Sequence, residues 1–514
     1  MPKKQSNALW ILPILLSGLF HILCLPWSGR LAIRNDGNFY LGGAAALSQG
    51  LGYRVEPYLD LPTVSQYPPL HSVWLSLFWK FGGGYPENLP WLLASTELIS
   101  LLMLSAFAYC TRREGLPLKW GFPLILLLGT SSVTYSLTAM LFSDLTFAFL
   151  AIALFLWAGG LSGRSSYSAG WWFASGMLLA LLVLCRSAGL AFVAGAGVLW
   201  LYQFRNYGWK TGAAWLFPVL AAFAIKKLCA GPAGNYSDYF QSRIIELGGV
   251  KNYLSFVATS AVDHLTGRFW IEGFLNVPTR IEYASFVTGT RLVSLVRVGI
   301  GLVGSVLSFL ALLGIWSQWH RGMMRATAVV LLFYFALILA WPYALGTRCL
   351  LPLAPLYVVL IWHGLQVLPV STSWARIASC VTTIALALNV VGNTALTYKE
   401  SIAYPIQWAE DIEDMKLTAD WLQEHVKPGE WVAATRDVPL MHLRRYSGLR
   451  FLAAATPTQH VGWFYDVPPA SQGNRTATYA VVAFPSRLAF DDYDLKIEKQ
   501  LKHFTICRVI RRQP

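Results

Sequence analysis

Charged residues are scarce in this chain. Of its 514 residues, 13% are Asp, Glu, Lys or Arg, whereas 55% are hydrophobic. A soluble protein does not usually place so much apolar surface in one core. Many windows of about 20 residues are nearly free of charge, which is the length that a bilayer-spanning helix needs. Because backbone groups in lipid must be satisfied within the segment, these windows predict helices, and the chain is expected to be a mainly α, polytopic membrane protein.

Several common signatures are also missing. The seven cysteines show no CxxC spacing, so no disulfide framework is implied. The sequence has no GxxxxGK[ST] phosphate-binding loop, so it does not indicate an ATP-driven protein. Without an HExxH motif or a Cys/His cluster, we expect no metal site and no cofactor, although one or two carboxylates could hold a divalent cation weakly. The net charge of +14 is spread along the chain, largely beside hydrophobic runs, and a nucleic-acid partner is therefore not expected.

The hydrophobic runs predict about eleven spans and an integral protein of the plasma or inner membrane. Lys3 and Lys4 precede the first run, residues 8–27, and no convincing cleavage site follows. We therefore expect a retained first span with a cytoplasmic N-terminus. Alternation of the spans then places residues 28–88 and 226–297 in outer loops and the C-terminus outside.

Individual helices follow from length and periodicity. Residues 72–81 predict a surface helix that is too short to cross a bilayer. Residues 121–137 predict the third span, and residues 377–397 predict the last. After the last span, apolar residues at helical spacing predict a separate amphipathic helix that ends near His425.

The composition changes near residue 398. We divide the chain into a transmembrane domain, residues 1–397, and a small extracytoplasmic α/β domain, residues 398–514. Strands are predicted in the second domain at residues 431–434, 479–484 and 504–510.

The first outer loop contains a comparatively polar stretch, residues 34–71, where chemistry could occur in water. Asp36 lies near its start, beside Arg34 and a run of aromatics. A carboxylate can deprotonate or orient an acceptor hydroxyl that lies within hydrogen-bond reach. The alternative for Asp36 is an ordinary solvated loop aspartate.

Three further ionisable residues lie at the predicted outer ends of spans. Asp144 is a functional candidate because acids near membrane depth are costly, and the alternative is a helix cap. Arg186 and Arg348 each adjoin an apolar span, and a guanidinium matches phosphate oxygens well. The alternative for both arginines is snorkelling to lipid headgroups.

In their order along the chain, these short motifs resemble the GT-C superfamily of polytopic glycosyltransferases. The nearest groups are the protein mannosyltransferase-like and aminoarabinose-transferase-like bacterial enzymes. The matching pieces are Asp36, Gly50-Leu51-Gly52-Tyr53, Tyr67-Pro68-Pro69-Leu70, Ser143-Asp144, Arg186-Ser187-Ala188-Gly189-Leu190 and Arg348-Cys349-Leu350-Leu351-Pro352-Leu353. Two departures leave the subfamily open: Gly37 stands where members often have a second acid, and Cys349 where they often have Tyr or Phe.

The resemblance implies transfer of a sugar from a polyprenyl-phosphate carrier to a lipid, glycan or protein hydroxyl at the outer membrane face. It assigns catalysis to Asp36 and Asp144. Arg186 and Arg348 would bind the carrier phosphate. The absence of a WWDYG signature disfavours transfer of a preassembled glycan to asparagine.

We therefore predict an inverting membrane glycosyltransferase that uses a polyprenyl-phosphate sugar donor, with Arg34, Tyr67 and His71 as further substrate-binding residues. A transporter or flippase for lipid-linked saccharides is the alternative from another class, but repeated halves are not visible in the sequence. A non-catalytic assembly partner, acting through the outer domain, is a third possibility.

Overall fold

Helices make up most of the molecule. The computed structural model describes residues 8–27, 33, 36–56, 67–158, 168–202, 204–230, 244–245, 247–265, 290–319, 322–340, 347–369, 372–434, 438–449, 451–453, 478–482 and 493–511. Arg34 lies outside these residues. The helices are α1 (Ala8–Cys24), α2 (Asp36–Ser48), α3 (Leu70–Phe78), α4 (Leu89–Arg113), α5 (Leu118–Gly129), α6 (Ser132–Ala139), α7 (Asp144–Ala158), α8 (Ala169–Cys185), α9 (Gly189–Tyr202), α10 (Phe204–Ala230), α11 (Val250–Leu265), α12 (Thr290–Gln318), α13 (Gly322–Ala340), α14 (Ala354–Val367), α15 (Thr372–His425) and α16 (Leu440–Ser447). A 3-10 helix, Thr347–Leu353, precedes α14.

The helices have the length and surface of membrane spans. Within the described residues, four are long and apolar enough to cross a bilayer, and α5 with α6 makes a fifth if the bent pair is one span. Large apolar side chains project outward from them: Leu15, Trp316 and Leu228 are 62%, 82% and 85% exposed. Apolar side chains at such exposed positions are expected where a helix contacts lipid. The polytopic helical fold is confirmed, whereas the number of spans stays a prediction.

The third predicted span, residues 121–137, is two helices. α5 and α6 are bent by 41° across the break between them. Ser131 lies in the break with an extended backbone, and its side chain accepts a hydrogen bond from the backbone N–H of Thr134. Hydropathy did not show this break because Ser and Thr interrupt an apolar run without adding charge.

Side chains of α15 satisfy polar groups at the break. The Thr397 hydroxyl donates to the backbone carbonyl of Thr130 at 2.9 Å, and the Thr394 hydroxyl donates to the Thr130 hydroxyl at 2.9 Å. Neighbouring hydroxyls of this kind make a broken helix tolerable in lipid.

α15 is a single helix of 54 residues. It joins the predicted last span, residues 377–397, to the amphipathic helix that ends at His425. The proposed domain limit at residue 398 therefore falls inside a helix, and the division into two domains stays a prediction.

A five-stranded sheet follows α15. Its strands are β1 (Val432–Ala434), β2 (Leu452–Ala453), β3 (Tyr479–Val482), β4 (Tyr493–Gln500) and β5 (Thr505–Arg511), in the order β2-β1-β3-β5-β4. β2 and β3 pair with β1 in parallel, whereas β5 pairs antiparallel with both β3 and β4. The small C-terminal sheet is thus confirmed; β2 and β4 were not predicted.

The sheet region packs on the first loop. Phe39, Tyr53 and Val55 share a buried apolar cluster with Met415 of α15 and Phe451 next to β2. The first loop and the C-terminal region consequently lie at the same end of the helical bundle.

Two polar contacts reinforce this packing. The Asn38 side-chain amide donates to the backbone carbonyl of Val438 at 3.0 Å. Arg444 pairs with the buried carboxylate of Glu56, Nη2 to Oε1 at 2.5 Å, and also donates from Nη1 to the Glu56 backbone carbonyl at 3.0 Å. Removing one partner of such a pair leaves an uncompensated charge.

We predict that Arg444→Met loosens the C-terminal region, because it removes the Arg444 guanidinium from the buried Glu56 carboxylate. Since Arg444 is itself partly exposed, the loss of stability is expected to be about 1–3 kcal/mol. Thermal unfolding of the detergent-solubilised protein and the rate of proteolysis around residue 450 measure the effect. Arg445→Met, a neighbouring exposed arginine on the same helix, is the matched control; equal losses in both variants would contradict the role of the pair.

Candidate active site

Asp36 is the first residue of α2, where the helix dipole favours a carboxylate. Its Oδ2 lies 3.1 Å from Nη1 of Arg348, and its Oδ1 accepts a hydrogen bond from the Tyr67 hydroxyl at 2.9 Å. The side chains of Asp36 and Arg348 are 15% and 34% exposed. The structure therefore brings three of the sequence-predicted site residues together at a position that a ligand can reach.

Asp144 is the first residue of α7 and forms a second ion pair. Its Oδ2 lies 2.5 Å from Nη1 of Arg186, and the carboxylate is buried. Arg186 follows the last residue of α8 in the tight turn to α9. Gly189 makes this turn possible, because a Cβ there would lie 2.6 Å from the carbonyl of Leu182.

The two ion pairs are neighbours. Tyr40, one turn after Asp36, hydrogen-bonds through its hydroxyl to the hydroxyl of Ser143 at 2.6 Å, and Ser143 directly precedes Asp144. The guanidinium carbon of Arg348 lies 5.3 Å from the ring centroid of Phe142 in the same turn. The residues thus form one cluster of two acids and two arginines.

The close approach of α2 to this turn explains a departure from the GT-C motif. A Cβ at Gly37 would lie 2.6 Å from the backbone carbonyl of Met140 and 2.6 Å from the Ile33 side chain. A second acid beside Asp36 does not fit in this packing. Asp144, supplied by the turn on the other side of the contact, places a second carboxylate near Asp36 instead.

Tyr67 is fixed between aromatic neighbours. Its ring stacks on Phe39 at a centroid distance of 5.0 Å and meets the Tyr40 ring edge-on at 5.4 Å. Its backbone carbonyl accepts a hydrogen bond from the Tyr53 hydroxyl at 2.8 Å. These contacts position the Tyr67 hydroxyl against Asp36.

His71 lies behind this aromatic layer and is fully buried. Burial lowers the pKa of His71 to about 4, so the ring is neutral near pH 7. Nε2 then donates to the backbone carbonyl of Leu141 at 2.9 Å, and Nδ1 accepts from the Thr146 hydroxyl at 3.1 Å. The structure thus gives His71 a supporting position, whereas the sequence predicted substrate contact.

The hydrogen bond from His71 reaches a strained residue. Leu141 has φ of 55°, a conformation that costs a branched residue about 1–3 kcal/mol and persists only where surrounding contacts determine it. This residue lies in the turn that carries Phe142, Ser143 and Asp144. His71 therefore stabilises the turn that places the second acid.

Lys226 is a basic residue that the sequence analysis missed. Its Nζ donates to the hydroxyl of Ser187, next to Arg186, at 3.1 Å. The signal that could have identified it is a lysine close to the end of a long apolar helix, α10. Its proximity to Arg186 appears only when α8 and α10 pack together.

The fold is shared with solved membrane proteins of the GT-C class, as the order of the motifs predicted. Similar structures include ArnT from Cupriavidus metallidurans in the apo state, with a TM-score of 0.55, 11% identity and 98% of each chain covered. The structure of that ArnT bound to undecaprenyl phosphate matches with a TM-score of 0.52 and 11% identity, again over 98% of each chain.

The Archaeoglobus fulgidus oligosaccharyltransferase in the apo form is also similar. It matches with a TM-score of 0.53 and 13% identity, over 94% of this chain and 70% of that chain. No protein-family model matches the chain, and the curated proteins contain no match either. At this level of identity the comparisons show the GT-C fold and nothing finer.

We predict that the stability of the protein falls as the pH decreases from about 6.5 to 4. The unfolded chain binds a proton on His71 below about pH 6.5, whereas the folded protein keeps the ring neutral down to about pH 4. The stabilisation is thus present above pH 6.5 and is lost progressively below it, by about 3 kcal/mol at the lower limit.

Thermal unfolding in detergent between pH 8 and pH 4.5 tests this expectation. His71→Gln is expected to unfold at a lower temperature at pH 8 and to lose less stability on acidification than the wild-type protein. His425→Gln, which removes an exposed histidine, is the matched control. Parallel pH profiles for His71→Gln and the wild type would contradict the assignment.

Proposed function

We propose that this chain is a membrane glycosyltransferase that moves a sugar from a polyprenyl-phosphate carrier to a hydroxyl of a lipid, glycan or protein acceptor. The observation that supports it most is the cluster of two acid–arginine pairs within the GT-C fold. Among the similar structures, ArnT was solved with undecaprenyl phosphate bound, and the archaeal AglB with a dolichol-phosphate and an inhibitory peptide. The cluster offers carboxylates for a hydroxyl and guanidinium groups for a phosphate.

In this proposal Asp36 is the general base. It accepts the proton of the acceptor hydroxyl while the hydroxyl oxygen forms a bond to the anomeric carbon of the sugar. The bond from that carbon to the carrier phosphate oxygen breaks, and its electron pair stays on the phosphate, which leaves as polyprenyl phosphate. Attack opposite the leaving group inverts the anomeric configuration.

The arginines bind the phosphate and stabilise the negative charge that develops on it. Arg348 is half-buried and accessible, so a bound phosphate can compete with Asp36 for its N–H donors. Arg186 stays oriented by the buried carboxylate of Asp144, which acts as the second polar wall of the site.

The remaining predicted residues take positioning and binding roles. Tyr67 orients Asp36 through its hydroxyl, and His71 supports the turn that carries Asp144. Arg34 is proposed to bind substrate near Asp36, its neighbour two residues along the chain. The proposal places this site at the outer membrane face, with the N-terminus in the cytoplasm, and includes no metal or other cofactor.

We expect Asp36→Asn to lower the turnover rate by about 100- to 10,000-fold, because the amide cannot accept the acceptor proton. The purified protein is incubated with a panel of polyprenyl-phosphate sugars and a membrane lipid extract. Mass spectrometry follows carrier release and the sugar-bearing product. Asp420→Asn, an exposed aspartate on α15, is the matched control and should retain wild-type turnover.

Full activity of Asp36→Asn would exclude the base role. If the wild-type protein turned over no donor while remaining folded, the glycosyltransferase proposal itself would fail. Transport of a labelled lipid-linked saccharide across proteoliposomes would then identify the transporter alternative.

Arg348 variants separate phosphate binding from proton transfer. We expect Arg348→Met to lower kcat/KM for the donor by about 100- to 1,000-fold. Arg348→Lys should lower it less, because lysine keeps the positive charge but lacks the fork of N–H donors. Steady-state kinetics with varied donor concentration measure both effects. A change confined to the acceptor KM would contradict a role in carrier binding.

A further inference from the structure

A crevice lies between the first loop and the C-terminal region, and none of the residues of the Asp36–Arg348 site lines it. Its volume is about 690 Å³, within the usual range for a small-molecule site. Its walls come from the residue Trp27 just after α1, the segment 86–90 that leads into α4, the middle of α15, and α16. The lining residues are Trp27, Pro86, Glu87, Pro90, Ala409, Ile412, Glu413, Lys416, His442 and Tyr446.

α16 connects this crevice to the proposed active site. At one end, Val438 precedes α16 and accepts the hydrogen bond from Asn38, which is two residues from Asp36. Further along, His442 and Tyr446 of α16 line the crevice. From Leu440 to Tyr446 the helix rises about 9 Å. α16 thus links the crevice to α2, the helix that begins at Asp36.

The lining combines rings with hydrogen-bonding groups. The Trp27 indole N–H donates to the backbone carbonyl of Ile22 at 2.8 Å, so its ring can offer an apolar surface without an unmet donor. Glu87 and Glu413 are exposed carboxylates that accept hydrogen bonds, and Lys416 supplies donors. A saccharide ring would match this lining, because its apolar face can pack on the aromatic rings and its hydroxyl groups can hydrogen-bond to the carboxylates and the lysine.

Packing holds the ring wall in place. The His442 ring meets Tyr85 edge-on at a centroid distance of 4.9 Å and stacks with Tyr446 at 5.9 Å. The Tyr446 pKa is raised, first by burial and then by the Glu87 carboxylate, which shows that the acid from the first loop lies near the α16 ring. Beside this wall, the buried Tyr85 hydroxyl has no hydrogen-bond partner among the described residues.

The charge of the crevice argues against a second carrier site. Two carboxylates face one lysine in the lining, whereas a phosphate needs a net excess of cationic or N–H donors. Carboxylates instead accept hydrogen bonds from neutral hydroxyls without repulsion. The crevice therefore differs in ligand chemistry from the arginine-containing active site.

We propose that this crevice binds the saccharide portion of the acceptor substrate, a neutral polyhydroxylated ring or short chain of rings, while the reacting hydroxyl extends toward Asp36. The acceptor assignment rests on the proposed glycosyltransferase function. Saccharide binding in the crevice, by contrast, can be measured without catalysis.

Binding is tested with the full-length protein in detergent by saturation-transfer difference NMR. The probes are methyl glycosides of common hexoses and the corresponding disaccharides. Glu87→Gln combined with Glu413→Gln removes both carboxylates at exposed positions, so the fold should be retained, as checked by thermal unfolding. Asp420→Asn combined with Glu424→Gln removes the same charge from exposed positions of α15 outside the crevice lining and is the matched control.

We expect at least one saccharide to bind the wild-type protein and Asp36→Asn equally. Its Kd should rise about tenfold or more in the Glu87/Glu413 double variant and stay unchanged in the control. Saccharide binding that is absent, insensitive to the double variant or lost in Asp36→Asn would overturn the proposal, since the last result would place the sugar in the active site.

Kinetics separate the acceptor assignment from the proposed function. In an active preparation, the Glu87/Glu413 double variant is expected to raise the acceptor KM about tenfold and to leave the donor KM unchanged. An unchanged acceptor KM would overturn the acceptor assignment while leaving the glycosyltransferase intact. Absence of turnover with retained saccharide binding would instead refute the proposed function and preserve the crevice as a saccharide site.

Discussion

The buried ion pair between Asp144 and Arg186 is the contact on which the geometry of the candidate site depends most directly. A buried carboxylate loses most of its hydration, and a neighbouring guanidinium with good geometry offsets that loss. The pair ties the start of α7 to the turn after α8. The Asp36–Arg348 pair adds a link between residues 312 positions apart in the chain. Together the two pairs join the start of α2, α7, the turn after α8 and the 3-10 helix.

The layer of rings behind the ion pairs has a complementary role. The Tyr40 ring meets both the Tyr67 ring and the His71 ring edge-on. Each also uses its polar atom on a residue of the site or of the turn beside it. Rigid rings whose polar atoms are hydrogen-bonded restrict the motion of the neighbouring charged groups. Charged groups held in this way are already positioned for a ligand.

Much of this arrangement could be predicted from residues near in sequence. Charge-poor windows predict helices in lipid whatever their neighbours are, and the order of short motifs singled out Asp36, Asp144, Arg186 and Arg348 before their pairing was known. The pairing itself depends on how distant helices pack. No local pattern joins Asp36 to Arg348, and none shows that Gly37 is required by its contact with the Met140 carbonyl.

Other features depend on tertiary structure in a similar way. From the sequence, His71 is one polar residue at the start of a predicted surface helix, and nothing local indicates that its ring is buried. The break at Thr130 is tolerated because hydroxyls arrive from α15, more than 260 positions away. β2 has two residues, which pair with β1, and a strand of this length is too short to show a periodic signal.

The continuity of α15 has a mechanical consequence. Residues 398–425 extend the helix by about 42 Å beyond the predicted end of the last span. A change in tilt of about 5° at the membrane, such as a thinner or thicker bilayer imposes on a helix, moves the far end by about 4 Å. Glu413 and Lys416 lie on this extension, about 24 Å or more past residue 397. The same tilt would displace their wall of the crevice by about 2 Å.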